Sequence, residues 1–366
     1  MRLGRLWLTD FRCYTLADVT FDAGCTVITG QNGHGKTSLL EAVGWLANGR
    51  SLRGVADRVL VRSGCEDAIV RAEVMHGERE LLIEAMIRVA GRNRVQVNKQ
   101  AITRRRDLAE HLRVTVFAPD DLALVKGAPA GRREYLDDLL VSSAPRWSAS
   151  MSDYERVVKQ RNALLRAGIR GADDRTTLEV LNTKLVEQGS SLIRARLDLI
   201  DRLSPAVRDA YASLAGDAPG FATRYECEWS DAVVTAETVE HELEAALVRF
   251  ARREEDRGST LVGPHRDDWT FVLDGLDARH HASQGEQRTL ALGLRLAGHQ
   301  LVADAIGEQP VLLLDDVFSE LDAERATALV RHLPATQTLV TTAGALPEGL
   351  APGAWLRIHD GAIVDG

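Results

Sequence analysis

Residues 25–40 read CTVITGQNGHGKTSLL. Cys25 to Thr29 form a short run with the composition of a buried strand. Gly30 to Thr37 then match G-x-x-x-x-G-K-T, and an apolar stretch begins at Leu39, so the pattern lies between a predicted strand and a predicted helix. The glycines let the backbone turn tightly, so that successive N–H groups face inward and can cradle phosphates. The helix adds the positive end of its dipole. Gly30, Gln31, Asn32, Gly33, His34, Gly35, Lys36, Thr37 and Ser38 are therefore the candidate nucleotide-binding residues. Lys36 has the reach for the β- and γ-phosphates, and the Thr37 hydroxyl is a candidate ligand for Mg²⁺. The alternative is a glycine-rich turn that fits by chance; a strand and a helix in the right places argue against it.

The 366 residues predict two or so structural units. A net charge of −8 neither advertises nor excludes nucleic-acid binding, because local patches outweigh the sum. Cys13, Cys25, Cys65 and Cys227 are far apart, which suggests neither a zinc site nor a disulfide framework. The N-terminal stretch alternates apolar and polar residues and contains Asp10, unlike an export signal, and no apolar run is long enough to span a membrane. These features predict a cytoplasmic protein with no membrane partner.

Strands are predicted at 2–9, 15–22, 68–76, 79–89, 93–98 and 114–117. From about residue 120 to 255 the texture turns helical, with stripes at 154–165 and 178–193 separated by a polar break at 168–174. The α/β texture returns with a strand at 269–273, a helix at 286–306, the strand PVLLLDD at 310–316, a helix at 321–333 and a strand at 337–342. The expected architecture is one discontinuous nucleotide-binding head, residues 1–119 and 256–366, with a mostly helical lobe, 120–255, inserted as a rigid arm.

Two further stretches carry chemistry. Leu312-Leu313-Leu314 runs out into Asp315 and Asp316, which puts two carboxylates where open α/β sheets bind ligands. Asp315 is the candidate Mg²⁺ ligand. Asp316 is the candidate to orient or deprotonate the attacking water, and with Lys36 and Asp315 it completes the catalytic set. Ser283-Gln284-Gly285-Glu286 opens a helix; alone it is an ordinary cap. Followed by the acid-ended strand, it resembles the signature loop of ABC-type ATPases, and Ser319-Glu320-Leu321-Asp322 resembles their D-loop. That resemblance implies an α/β ABC-type head, a mixed sheet with an antiparallel part. It also implies a homodimer in which ATP is sandwiched between Lys36 of one copy and Ser283, Gln284 and Gly285 of the other.

A more specific resemblance covers essentially the whole chain. Asp10-Phe11-Arg12 with Tyr14, GRSLR at 49–53, VFAPDDLALVKG at 116–127, YERVVKQRNALLR at 154–166, TLVGPHRDDW at 260–269 and SQGEQRTLALGLRLA at 283–297 are similar to the RecF family of SMC-like ATPases. Membership would imply an ATP-dependent dimer in recombinational gap repair that clamps duplex DNA or a single-strand/duplex junction. It would work with RecR and RecO and, indirectly, RecA. Hydrolysis would be a weak, DNA-dependent ATPase acting as a switch. The resemblance also assigns Arg12 to the nucleotide. Two features depart from transporter-type heads: Thr341-Thr342 stand where a switch histidine is usual, and Asp316 replaces the usual catalytic glutamate. DNA-contact candidates are Arg50, Arg53, Arg58 and Arg62; Arg92, Arg94 and Lys99; Arg104 to Arg106; and Lys126, Arg132 and Arg133. For His265 and Arg266, catalytic and structural roles both stay open.

Overall fold

The computed structural model describes residues 1–102, 105–216 and 220–364, the side chains of Arg105 and Arg106 excepted. In chain order the strands and α-helices are β1 (Arg2–Phe11), β2 (Tyr14–Thr20), β3 (Cys25–Thr29), α1 (Lys36–Asn48), β4 (Asp67–His76), β5 (Arg79–Arg88), β6 (Arg94–Val97), β7 (Gln100–Ala101) and β8 (Val114–Phe117). Then follow α2 (Leu122–Lys126), α3 (Pro129–Ser143), α4 (Arg146–Ala167), α5 (Ala172–Ala215), β9 (Phe221–Glu226), α6 (Val239–Arg257), β10 (Asp268–Leu273), β11 (Leu276–Asp277) and α7 (Ala278–His281). The chain closes with α8 (Gln284–Ile306), β12 (Val311–Asp315), α9 (Ala323–His332), β13 (Thr338–Thr342), β14 (Ala354–His359) and β15 (Ala362–Val364).

Two compact units result. The first joins Met1–Asp121, Ser213–Gly216 and Leu294–Gly366; the second joins Leu122–Ala212 and Asp217–Gly293. The chain leaves the first unit after Asp121. After a brief return at Ser213–Gly216 it rejoins the first unit at Leu294 rather than 256, because residues 256–293 include β10, which pairs along its whole length with β9 of the second unit.

In the first unit, a six-stranded sheet has the order β2-β1-β4-β5-β6-β7, with antiparallel pairing. Its strands alternate: Ala68, Val70, Ala72 and Val74 of β4 are buried while Arg71 is exposed. That alternation is what a sheet with one face on the core requires. The other sheet has the order β15-β14-β3-β13-β12-β8. Its β14, β3, β13, β12 and β8 run parallel, so the central strands are buried on both faces and read as continuous apolar runs. Leu312, Leu313 and Leu314 are fully buried for this reason.

Helix α1 unites the two sheets. Its Leu39, Leu40, Val43 and Leu46 share one core with Leu3, Leu6 and Leu8 of β1 and with Ile28, Leu313 and Leu339 of the parallel sheet. Each buried leucine contributes about 1.5–3 kcal/mol. The seat of α1 therefore outweighs any cap, worth about 1 kcal/mol. The helix indeed starts on Gly35, with no side-chain cap.

The second unit is mostly helical, as expected, and also holds a three-stranded sheet, β11-β10-β9. No helix among the described residues is long and apolar enough to cross a membrane.

Candidate functional site

The loop after β3 wraps around its own lysine. Lys36 is 6 % exposed. Its Nζ donates to the carbonyls of Gly30 at 2.7 Å and Gln31 at 3.0 Å and lies 3.5 Å from Asn32 Oδ1. Burial lowers its pKa from the ordinary lysine value, and the nearby charges of Asp316 and Asp315 oppose that shift. Two glycines are obligatory. A Cβ on Gly30 (φ 153°) would stand 2.4 Å from the Ile358 carbonyl, and one on Gly35 (φ 114°) would stand 2.6 Å from Cys13 Sγ. The loop is braced from outside as well. Tyr14 Oη donates to the Gly35 carbonyl at 3.0 Å, and the Gly361 N–H donates to the His34 carbonyl at 3.1 Å. The His34 ring packs edge-on against His359 at 4.9 Å.

Parallel pairing of β12, β13 and β3 carries the acids to the loop. Thr37 Oγ1 donates to Asp315 Oδ1 at 2.7 Å, and Thr341 Oγ1 donates to the same oxygen at 2.8 Å. The Asp316 N–H donates to Thr341 Oγ1 at 2.9 Å and lies 3.2 Å from the Thr341 carbonyl. Asp316 is left-handed, φ 50° and ψ 28°. Its Oδ1 is buried and has no hydrogen-bond partner among the described residues. An unpaired buried carboxylate oxygen is costly to keep. It is what a water-orienting or metal-facing group needs. The Thr37 hydroxyl and the two carboxylates form an all-oxygen donor set, which fits Mg²⁺ rather than a softer ion.

Arg12 occupies a different setting from a free phosphate ligand. Its guanidinium donates to Glu41 twice, at 2.8 and 3.0 Å, and to the Val59 carbonyl at 3.2 Å. Glu41 is 1 % exposed and also accepts from Ser51 Oγ at 2.5 Å. Arg12 of the β1–β2 turn and Ser51 of GRSLR are thus tied to the helix that carries Lys36 and Thr37. Glu41 was not among the expected site residues. Its one signal in the sequence is a lone carboxylate in the apolar run LLEAVGWL.

In the second unit, Ser283 is the N-cap of α8. Its Oγ accepts from the Glu286 N–H at 3.3 Å, and its own N–H donates to Glu286 Oε2 at 2.7 Å, a reciprocal capping box. Ser283 and Gln284 are exposed and Gly285 is half-buried. The signature loop is therefore a presented helix start.

The stretch GPHRDD is internal to the second unit. His265 Nε2 lies 3.2 Å from the Thr260 carbonyl, which can only accept, so Nε2 carries the proton and Nδ1 accepts from Tyr154 Oη at 2.7 Å. Burial drives its pKa down to about 4. Arg266 also donates to Thr260 O, at 2.9 Å. Asp267 accepts from Tyr225 Oη at 2.7 Å and Trp229 Nε1 at 2.6 Å, and burial raises its pKa to about 6. Asp268 receives Arg132 bidentately, at 2.7 and 2.8 Å. Arg161 of the QRNALL stretch joins Glu254 at 2.6 Å, Asn182 at 2.8 Å and Thr260 at 3.0 Å. Arg266 apart, which is exposed, these residues form a satisfied polar core.

That core removes Arg132 from the DNA-contact candidates, since it is 2 % exposed, and ties Arg133 to the Asp267 carbonyl at 2.7 Å. Arg62 pairs with Asp10. In contrast, Asn93 Nδ2 donates to Asp57 Oδ2 at 2.7 Å, which draws the β5–β6 turn to the 57–59 segment. Arg58, next to Asp57, and Arg92 and Arg94, on either side of Asn93, are exposed and without ion pairs among the described residues. Arg104 and the side chains of Arg105 and Arg106 lie outside the described residues.

Residues 2–345 match the family model of the RecF/RecN/SMC N-terminal domain. The "DNA replication and repair protein RecF" of Frankia alni is 45% identical over 94% of this chain and 93% of the relative. That of Leifsonia xyli is 42% identical over 100% of both. The solved structure of the recombination mediator protein RecF with ATP, in the RecFOR pathway, is 29% identical, with a TM-score of 0.91 over 99% of this chain and 96% of that one. An SMC head domain bound to the C-winged helix domain of ScpA shares the fold, at 17% identity and a TM-score of 0.56 over 99% of this chain and 96% of that one.

Proposed function

The chain belongs to the RecF/RecN/SMC N-terminal family, and within it to the RecF proteins; from that premise we propose that it is an ATP-binding protein of DNA replication and repair, whose grip on DNA is conditional on ATP. The observation that carries the reading is the 2.7 Å contact between Thr37 of the phosphate loop and Asp315 of the acid-ended strand. It joins the phosphate cradle to the metal and water chemistry in one place.

Gly30 to Ser38 cradle the phosphates, with Lys36 on the β- and γ-phosphates and Arg12, braced by Glu41, approaching from the β1–β2 turn. Thr37 and Asp315 hold Mg²⁺, which neutralises phosphate charge when bound. Asp316 orients the attacking water through its buried, unpaired oxygen. A glutamate would reach one methylene further, so hydrolysis here is slow and serves to reset the protein.

Such a site is half of a composite. Ser283, Gln284 and Gly285 at the start of α8 close it on a second copy, so the γ-phosphate and its metal supply the differential contacts that favour the dimer. The dimer clamps duplex DNA, or a junction beside a single-strand gap, through backbone phosphates. Arg58, Arg92 and Arg94 are the leading contacts, since no aromatic is interleaved among them for base stacking. In the cytoplasm, at the nucleoid, it acts with RecR and RecO to help RecA load.

DNA binding on duplex, single-strand and gapped substrates, with and without ATP, read alongside oligomeric state, tests the reading. ATP-dependent binding by a dimer is expected. ATP-independent binding by a monomer contradicts it.

A further inference from the structure

Resting on the ATPase reading above, we infer that Thr341 is the positioning residue of the site, holding the metal-side and water-side carboxylates in register by one hydroxyl. Thr341 sits on β13, beside β12, and is fully buried. Its hydroxyl proton is committed to Asp315 Oδ1 at 2.8 Å, and its lone pair to the Asp316 N–H at 2.9 Å. Both ends of the hydroxyl are thus used on adjacent residues with different tasks.

The arrangement does work that the strand alone cannot. Parallel pairing ends at Asp315, opposite Thr341. Asp316 then turns left-handed, a conformation that a non-glycine residue keeps only where its surroundings hold it. The Thr341 hydroxyl fixes the N–H of that turned residue, and so the direction from which the unpaired Oδ1 faces the site. At the same time it shares Asp315 Oδ1 with Thr37, which keeps that oxygen aimed between the two threonines. The next residue, Thr342, makes neither contact: its hydroxyl donates to the Gly344 carbonyl at 3.3 Å. The two threonines at the usual place of a switch histidine therefore differ in role.

The test compares Thr341→Val, which keeps shape and β-branching, with Thr341→Ser, which keeps the hydroxyl. Fluorescent-nucleotide titration with EDTA and across a Mg²⁺ series is read beside kcat and KM. Thr341→Val is expected to bind metal-free ATP as wild type does, to need about tenfold more Mg²⁺ for tight binding, and to lose on the order of 10–100-fold in kcat with KM little changed. Thr341→Ser is expected to restore both. Wild-type behaviour of Thr341→Val, or a Thr341→Ser protein as impaired as Thr341→Val, overturns the inference. If Thr341→Val does not fold, Thr341→Ala is read the same way. Wild-type protein that neither binds nor hydrolyses ATP overturns the functional reading, and the inference with it; a wild-type protein that does both isolates the question of Thr341.

Discussion

Thr37 and Asp315 are 278 residues apart in the chain and share a hydrogen bond of 2.7 Å. The first lies in the opening turn of α1 and the second ends β12, and parallel pairing of β3, β13 and β12 brings the two ends to one edge. Removing the hydroxyl isolates the metal function from phosphate binding. Thr37→Val is expected to leave metal-free ATP affinity within a few-fold of wild type and to abolish its enhancement by Mg²⁺, measured by nucleotide titration with and without EDTA. Equal loss in both conditions would show that Thr37 serves the loop's shape rather than the metal.

The Arg12–Glu41 pair is a second joint. Glu41 is 1 % exposed and Arg12 about a fifth exposed. Arg12→Ala strands a buried carboxylate and is expected to cost about 3 kcal/mol of stability in urea unfolding. Arg12→Met with Glu41→Leu, which removes both charges, should recover much of that loss. If the double variant is worse than the single, Arg12 acts by packing and not by charge.

Much of this first unit was legible in the sequence, for physical reasons. A phosphate loop needs glycine at particular places, and a strand buried on both faces must be apolar until it reaches the acids. Local pattern alone therefore locates Lys36, Thr37, Asp315 and Asp316. Partnerships set by long-range pairing were not legible. Glu41 reads as one acid in a helix until Arg12 and Ser51 fold onto it, and the bridging role of Thr341 exists only once β13 lies beside β12. Strands β14 and β15, which bring Gly361 and His359 to the phosphate loop, lie in a tail that was not assigned. GPHRDD shows the converse: His265, Asp267 and Asp268, of types typical of catalysis, are here tied up in the polar packing of the second unit, and only Arg266 of the charged residues is exposed.

That interior predicts an unusual pH response. Asp267, raised to about 6, is easier to protonate in the fold than in the unfolded chain. Its stabilising contribution is full below the ordinary carboxyl value and is lost as pH rises through about 6. His265, lowered to about 4, behaves oppositely: its contribution is full above the ordinary histidine value and is lost as pH falls towards 4. The two slopes oppose each other across pH 4–6, each worth on the order of 3 kcal/mol. Relative to wild type, Asp267→Asn is expected to gain stability as pH rises across this window, and His265→Gln to lose it. Urea unfolding followed by tryptophan fluorescence measures both, since Trp229 donates to Asp267. Parallel pH profiles for all three proteins would contradict the assignment.

Exposed Arg58, Arg92 and Arg94, which flank the Asn93–Asp57 contact, predict an electrostatic DNA surface. Reversal of all three to glutamate is expected to weaken duplex binding and to flatten its salt dependence by roughly one unit of log–log slope per lost contact. ATP affinity should stay at the wild-type level. An unchanged slope would place the DNA surface elsewhere.

The central claim is that ATP is held between Lys36 of one copy and Ser283 of another. Lys36→Ala and Ser283→Arg proteins are each expected to be inactive, because every homodimer then has two damaged sites. Mixed, they form heterodimers in which both lesions fall on one site and the other site is intact. ATP turnover and ATP-dependent DNA binding measured on the mixture should recover to a level that neither protein reaches alone. A mixture as inactive as its components, from variants that remain folded, would contradict the composite site.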